Sequence, residues 1–151
     1  MSQGKGVTFD MNSIGKLISY SNRIYQKHLS KRLKQINFGS GAHQSYLILV
    51  LKQPGLTQEQ LTSEVKFDKA TTARSVKQLE EAGYVERRVD EKDRRSYRLY
   101  PTAKAREIEP EMYKVLADLN EHLTRHLTPE EREQLSALLE KLYEGIKEES
   151  D

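Results

Sequence analysis

The stretch Asp68-Lys69-Ala70-Thr71-Thr72-Ala73-Arg74-Ser75 gathers two cations, two threonines and three other small side chains within eight residues. Small side chains let a backbone approach a ligand closely. Threonine adds a methyl and a hydroxyl, and arginine presents a planar fork of donors that matches the major-groove edge of guanine. Placed at the start of a helix, such a set is suited to base edges and phosphates; its bland reading is an ordinary solvated helix face. A second cluster, Asp90-Glu91-Lys92-Asp93-Arg94-Arg95, is wholly charged. It reads either as a loop kept soluble by its own ion pairs or as a tip on which Asp93 holds an arginine extended toward a narrow, electronegative minor groove. The second reading is preferred because another DNA-reading candidate lies just upstream.

Other chemistries find no support. There is no phosphate-binding glycine loop, no nucleophile elbow and no histidine within an acid/base signature, so no catalytic residue and no cofactor are expected. The chain has no cysteine, which excludes disulfides, thiolate metal sites and thiol-based peroxide sensing. His122 and His126 are four apart, a spacing that puts both on one helix face and can bind metal. No further ligand joins them, and a histidine near a helix end is favourable against the dipole without metal, so no metal is expected.

The elements that must position these clusters follow from apolar spacing. From Phe9 to Ile36 apolar residues recur at threes and fours, as on one long amphipathic helix that Asn37 to Gly41 breaks. Ala42 to Gln53 reads as a short, deeply buried helix ended by Pro54-Gly55. Thr57 with Gln60 forms a capping box for a helix to about Glu64. Asp68 caps the next helix, whose expected core stripe is Ala70, Ala73, Val76, Leu79 and Ala82, with Gly83 closing it. Only Val65-Lys66-Phe67 separates the two, which forces them to cross. Tyr84 to Val89 and Ser96 to Tyr100 alternate as a two-stranded hairpin around the charged tip. Thr102 opens a second long helix, and Thr128-Pro129-Glu130-Glu131 opens the last.

The expected fold is mainly α: a winged helix-turn-helix with a two-stranded β-hairpin wing, flanked by long N- and C-terminal helices. Residues 1–40 and 104–151 are assigned to helical dimerisation and 41–103 to the DNA-binding lobe. The long helices carry more apolar surface than a small lobe can cover, and an identical subunit is the simplest partner.

Composition agrees with one folding unit: 151 residues, 36% hydrophobic and 32% charged. The net charge of +2 hides an uneven distribution. Residues 66–106 carry twelve basic and seven acidic side chains, whereas 107–151 carry five basic and thirteen acidic. A basic middle and an acidic end suit a molecule with one surface toward a polyanion. Met1 to Asp10 has no continuous apolar stretch, and no apolar run is long enough for a bilayer, so a cytoplasmic location without membrane contact is expected.

With these residues in place, Thr57 to Thr102 resembles the winged helix of the MarR family, the multiple-antibiotic-resistance regulators. The match is Asp-x-x-Asp-x-Arg at the wing, here Asp90, Asp93 and Arg95, followed by hydrophobic strand residues and Thr102. Thr-Thr-Ala-Arg followed by Leu79-Glu80-Glu81-Ala82-Gly83-Tyr84-Val85 resembles the family's recognition helix and its exit. The resemblance implies a homodimer that binds a palindromic operator in double-stranded DNA, acts as a repressor and is relieved by a small-molecule ligand. It also implies that Arg95, positioned by Asp93, is the minor-groove arginine. Pro101 stands where the family commonly has leucine and Ala105 where it usually has glycine, which is expected to tilt or tighten the start of the following helix.

The DNA-facing set is then Thr57, Lys69, Ala70, Thr71, Thr72, Arg74, Ser75, Lys77, Arg87, Asp93, Arg94 and Arg95. Tyr20, Tyr25, His28, Tyr46 and Tyr113 are candidates for holding a phenolic or aromatic effector, although they suit an ordinary core equally well. The competing function is a winged helix that binds protein, which would favour an uncharged recognition face.

Overall fold

The computed structural model describes residues 11–39 and 41–149. Helix α1 (Met11–Gln35) is followed by α2 (Gly41–Lys52), strand β1 (Leu56–Thr57), α3 (Gln58–Val65) and α4 (Lys69–Glu81). Strands β2 (Val85–Val89) and β3 (Tyr97–Pro101) then lead to α5 (Ala103–Leu123) and α6 (Pro129–Glu149). Phe9 and Asp10, where sequence periodicity begins the first helix, lie outside the described residues. The chain divides into two compact units, one through Leu116 and one from Ala117.

In the first unit, the continuously apolar segment of α2 is central: Tyr46, Leu47, Val50 and Leu51 are all buried. Leu29 and Leu33 from α1, Leu61 from α3, Val76 and Leu79 from α4, Leu99 from β3 and Met112 from α5 are buried with them. The earlier part of α1 leaves Ile14, Leu17, Ile18 and Ile24 exposed. Pro110 sits inside α5 and can donate no N–H to the carbonyl one turn back. In the second unit, Leu119 is buried and Arg132 of α6 pairs with Glu121 of α5 at 3.2 Å. Thr128 caps α6 as its spacing implies, and Glu131 completes a reciprocal capping box with it.

The sheet is three-stranded, in the order β1-β3-β2, where sequence reading expected only the hairpin. The added strand pairs Leu56 with Leu99 and Thr57 with Arg98. Two residues are too few for an alternating pattern, so β1 leaves no periodic signal. Gly55 leads into it at φ 94°, and a Cβ there would lie 3.3 Å from the Tyr100 hydroxyl, so glycine meets both demands.

The buried face of α4 differs from the expected stripe. Thr72, Ser75, Val76 and Leu79 point inward, while Ala70 and Ala82 are exposed. Alanine contributes little apolar area with which to choose a face, and Thr72 can enter the core because its hydroxyl is satisfied there. The Thr72 hydroxyl donates to the Asp68 carbonyl at 2.9 Å, which leaves its oxygen to accept from the Tyr46 hydroxyl at 3.3 Å. The Tyr46 ring also stacks on Phe67, with centroids 5.8 Å apart. This relay joins α2 to the first turn of α4.

Thr72→Val keeps the shape of the side chain but strands the buried Tyr46 hydroxyl, and it should destabilise the protein by about 1–3 kcal/mol in urea unfolding. Adding Tyr46→Phe should recover part of that loss, because the double variant leaves no unmatched hydroxyl. Purely additive losses would remove the relay from the account.

Candidate nucleic-acid interface

The first turn of α4 is built around Asp68. Its carboxylate accepts from the Thr71 N–H at 2.7 Å and from the Thr71 hydroxyl at 3.0 Å, capping the helix. Those bonds, the backbone one foremost, hold the Asp68 carboxyl below its usual range, with a smaller contribution from Arg74. Arg74 reaches back to the Thr71 oxygen at 3.4 Å. Lys69, Ala70, Arg74 and Lys77 are exposed, and Thr71 is half-buried. Thr72 and Ser75, expected to face DNA, are buried, so neither can reach a base edge.

The wing tip is organised by two aspartates. Asp93 accepts from the Arg95 N–H at 3.1 Å, and its carboxylate also lies 3.6 Å from Arg95 Nε. The Arg95 side chain is nevertheless 96% exposed, so its backbone is tethered and its charge projects into solvent. Arg94 is exposed beside it. Asp90 accepts from the Lys92 N–H at 3.1 Å and pairs with Arg98 at 3.4 Å. The backbone bond is the larger cause of its lowered pKa, and Arg98 adds to it. Arg98 in turn donates to the Gly55 carbonyl at 2.7 Å, pinning the base of the tip to the turn before β1.

Two other members of the expected DNA-facing set are already occupied. Thr57 caps α3, accepting from the Gln60 N–H at 3.1 Å while the Gln60 side chain accepts from the Thr57 N–H. Arg87 lies 2.6 Å from Glu80 and over the Tyr97 ring at 5.8 Å, so it ties β2 to α4 with its charge balanced. Thr57, Arg87 and Arg95 do share one shallow groove between the start of α3 and the wing, together with Ser96 and Tyr97.

The effector candidates sit in unlike surroundings. Tyr46 is consumed by the relay to Thr72 and is fully buried, so it is removed from that set. Tyr20 is exposed, with the Arg23 guanidinium 5.7 Å from its ring. Tyr25 and His28 are half-buried on α1, and burial raises the Tyr25 pKa. Tyr113 lies on α5, its pKa raised first by burial and then by Glu109. His122 and His126 do not share a helix face, because α5 ends at Leu123 and His126 falls in the following turn. Arg125 donates to the His122 carbonyl at 2.7 Å and lies 3.3 Å from its ring nitrogen.

Sequence reading missed Arg98 and Lys104. Lys104 donates to the Ala82 carbonyl at 2.6 Å, past the end of α4. Its only signal was a cation two residues after the Thr102 cap, and nothing local says which carbonyl it will meet. Among the described residues no helix is long and apolar enough to cross a membrane.

A family model described as MarR family matches residues 40–96. The HTH-type transcriptional regulator YybA of Bacillus subtilis, itself uncharacterised, is 31% identical over 140 residues, covering 90% of each chain. Among solved structures, a MarR transcriptional regulator from Methanosarcina mazei is 35% identical at a TM-score of 0.82, covering 91% of this chain and 92% of that one. A cysteine-to-serine variant of MarR from E. coli, complexed with operator DNA, is 24% identical at a TM-score of 0.81, over 86% and 93%. That last likeness is one of fold.

Asp68 and Asp90 each have a folded pKa below the unfolded one. Each therefore contributes stability that is present above the unfolded value and lost as pH falls through the folded one. The thermal midpoint should drop on acidification below about pH 4. An Asp68→Asn/Asp90→Asn variant should show a shallower drop, and an identical pH profile would show that the two carboxylates do not act through their charge.

Proposed function

The chain belongs to the MarR family of transcription regulators, a family of DNA-binding proteins and not of enzymes, and on that premise we propose that it is a homodimeric repressor of a palindromic operator, released by a small phenolic or aromatic effector. The observation that carries the reading is the pairing of an exposed cationic helix face, Lys69, Arg74 and Lys77, with the projecting guanidinium of Arg95. In this reading α4 enters a major groove, where Arg74 addresses a guanine and Lys69 and Lys77 meet phosphates. Arg95 enters the adjacent minor groove, where its backbone tether to Asp93 lowers the entropy lost on insertion. MarR from E. coli, a protein of the same fold, is seen in complex with operator DNA, so the fold itself is compatible with this use. A winged helix that binds protein has no use for this charge, which weighs against the alternative.

Dimerisation is assigned to residues 1–40 and 104–151. The support is the apolar surface left exposed on α1, at Ile14, Leu17, Ile18 and Ile24, and on α6, at Leu135, Leu138, Leu139, Leu142 and Ile146. A symmetric pair of lobes would then read half-sites about one helical turn, roughly 34 Å, apart. The effector is assigned to Tyr25, His28 and Tyr113, whose rings combine apolar faces with hydrogen-bonding tips. The protein acts in the cytoplasm, where its operator is.

Selection of bound duplexes from a random pool tests the operator and should return a palindrome. Affinity for random DNA should fall about a thousandfold or more between 50 and 200 mM salt, and salt-insensitive binding would sink the reading. Arg95→Ala should weaken binding to the selected duplex at least tenfold, in line with loss of one groove-inserted arginine. In sedimentation, both that variant and the wild type should run as dimers at micromolar concentration, and a stable monomer would overturn the role given to α1 and α6.

A further inference from the structure

Three successive carbonyls just past the end of α4, those of Ala82, Gly83 and Tyr84, are held by the opening of α5. The Thr102 hydroxyl donates to the Gly83 carbonyl at 2.5 Å and accepts from the Ala105 N–H at 3.3 Å, while the Thr102 N–H donates to the Tyr84 carbonyl at 3.1 Å. Two residues on, the Lys104 ammonium donates to the Ala82 carbonyl at 2.6 Å and lies 4.5 Å from the Tyr84 ring centroid. A cation at this place also meets the negative end of the α4 dipole. In the next turn Arg106 donates to the Leu51 carbonyl, at the end of α2. One stretch of five residues thus grips the C-terminal ends of two helices.

The DNA-reading side chains run from Lys69 at the start of α4 to Arg74 and Lys77 in its middle turns. Arg74 lies seven residues, about 10 Å, before the C-terminal end of the helix, so a tilt of about 5° there moves it by about 0.9 Å. Hydrogen bonds to base edges tolerate only a few tenths of an ångström, whereas phosphate attraction falls off slowly with distance. Tilt therefore degrades sequence discrimination before it degrades non-specific binding.

We propose that Lys104, working with Thr102, is a positioning residue for operator discrimination: it sets the pitch of α4 through the carbonyls of Ala82 and Gly83 and makes no contact with DNA. The inference rests on the operator-binding reading above. Its test uses the full-length protein, the duplex most enriched from a random pool by wild type, and a scrambled duplex of equal length and composition. Lys104→Met retains the stem that packs near Gly83 and loses only the ammonium.

Affinity of Lys104→Met for the selected duplex should fall about three- to tenfold, the range expected for one partly exposed charge-assisted hydrogen bond. Affinity for the scrambled duplex and the salt slope should stay unchanged, and Lys104→Arg should restore most of the ratio. Equal losses on both duplexes with a salt slope reduced by about one would make Lys104 a phosphate contact and overturn the proposal. So would a lowered thermal midpoint with an unchanged ratio, which marks a purely structural role. A wild-type protein that binds both duplexes alike overturns the operator reading, and this inference with it; discrimination by wild type that Lys104→Met fully retains overturns this inference alone.

Discussion

An α-helix leaves its first N–H groups and its last carbonyls without partners inside the helix, and α4 must satisfy both sets while keeping one face free for a ligand. Its start is closed by Asp68, whose carboxylate takes the Thr71 N–H and whose carbonyl takes the Thr72 hydroxyl. Its end is closed by the turn at Gly83, where the Tyr84 N–H bonds the Leu79 carbonyl and the Gly83 N–H bonds the Glu80 carbonyl. Gly83 adopts φ 84° there, a conformation that costs a side-chain-bearing residue energy. Both closures use groups that point along the helix or inward. The outward face is left to Lys69, Arg74 and Lys77, of which Arg74 alone also reaches back toward the cap at Thr71 and Asp68.

Charge on the wing is divided in the same way. Arg98 is spent on structure, between Asp90 and the Gly55 carbonyl, and Arg88 covers the Tyr100 ring at 4.2 Å. Arg87 is matched by Glu80. Arg95 differs because Asp93 takes its backbone N–H and leaves most of the guanidinium in water. A sheet of three short strands can therefore carry many arginines while most of them are matched within the fold. The balanced ones rigidify the base from which Arg94 and Arg95 project.

Much of this was legible from local chemistry. The capping box at Thr57, the Thr128 and Asp68 caps, the closing glycine and the hairpin each rest on contacts between residues a few positions apart, and all lie where their spacing implies. The face of α4 was not legible, because alanines and threonines differ too little in apolar area for periodicity to choose between them. Thr72 is settled by Tyr46, 26 residues away. Strand β1 and the grip of Lys104 on Ala82 are likewise products of tertiary placement, with partners set by the fold and not by neighbours in sequence. The histidine pair failed for a local reason: α5 stops at Leu123, three residues before His126, and spacing by four has meaning only while the helix continues.

Pro110 gives α5 a mechanical property that its length conceals. Because residue 110 has no N–H, the carbonyl of Arg106 receives no rung of the helical ladder from it, and the ladder is interrupted just past the turn in which Thr102, Lys104 and Arg106 grip two other helices. Bending stiffness in a helix comes from those successive rungs. The rod is therefore clamped at one end and most compliant a turn beyond the clamp, so flexure applied farther along it is concentrated at that point.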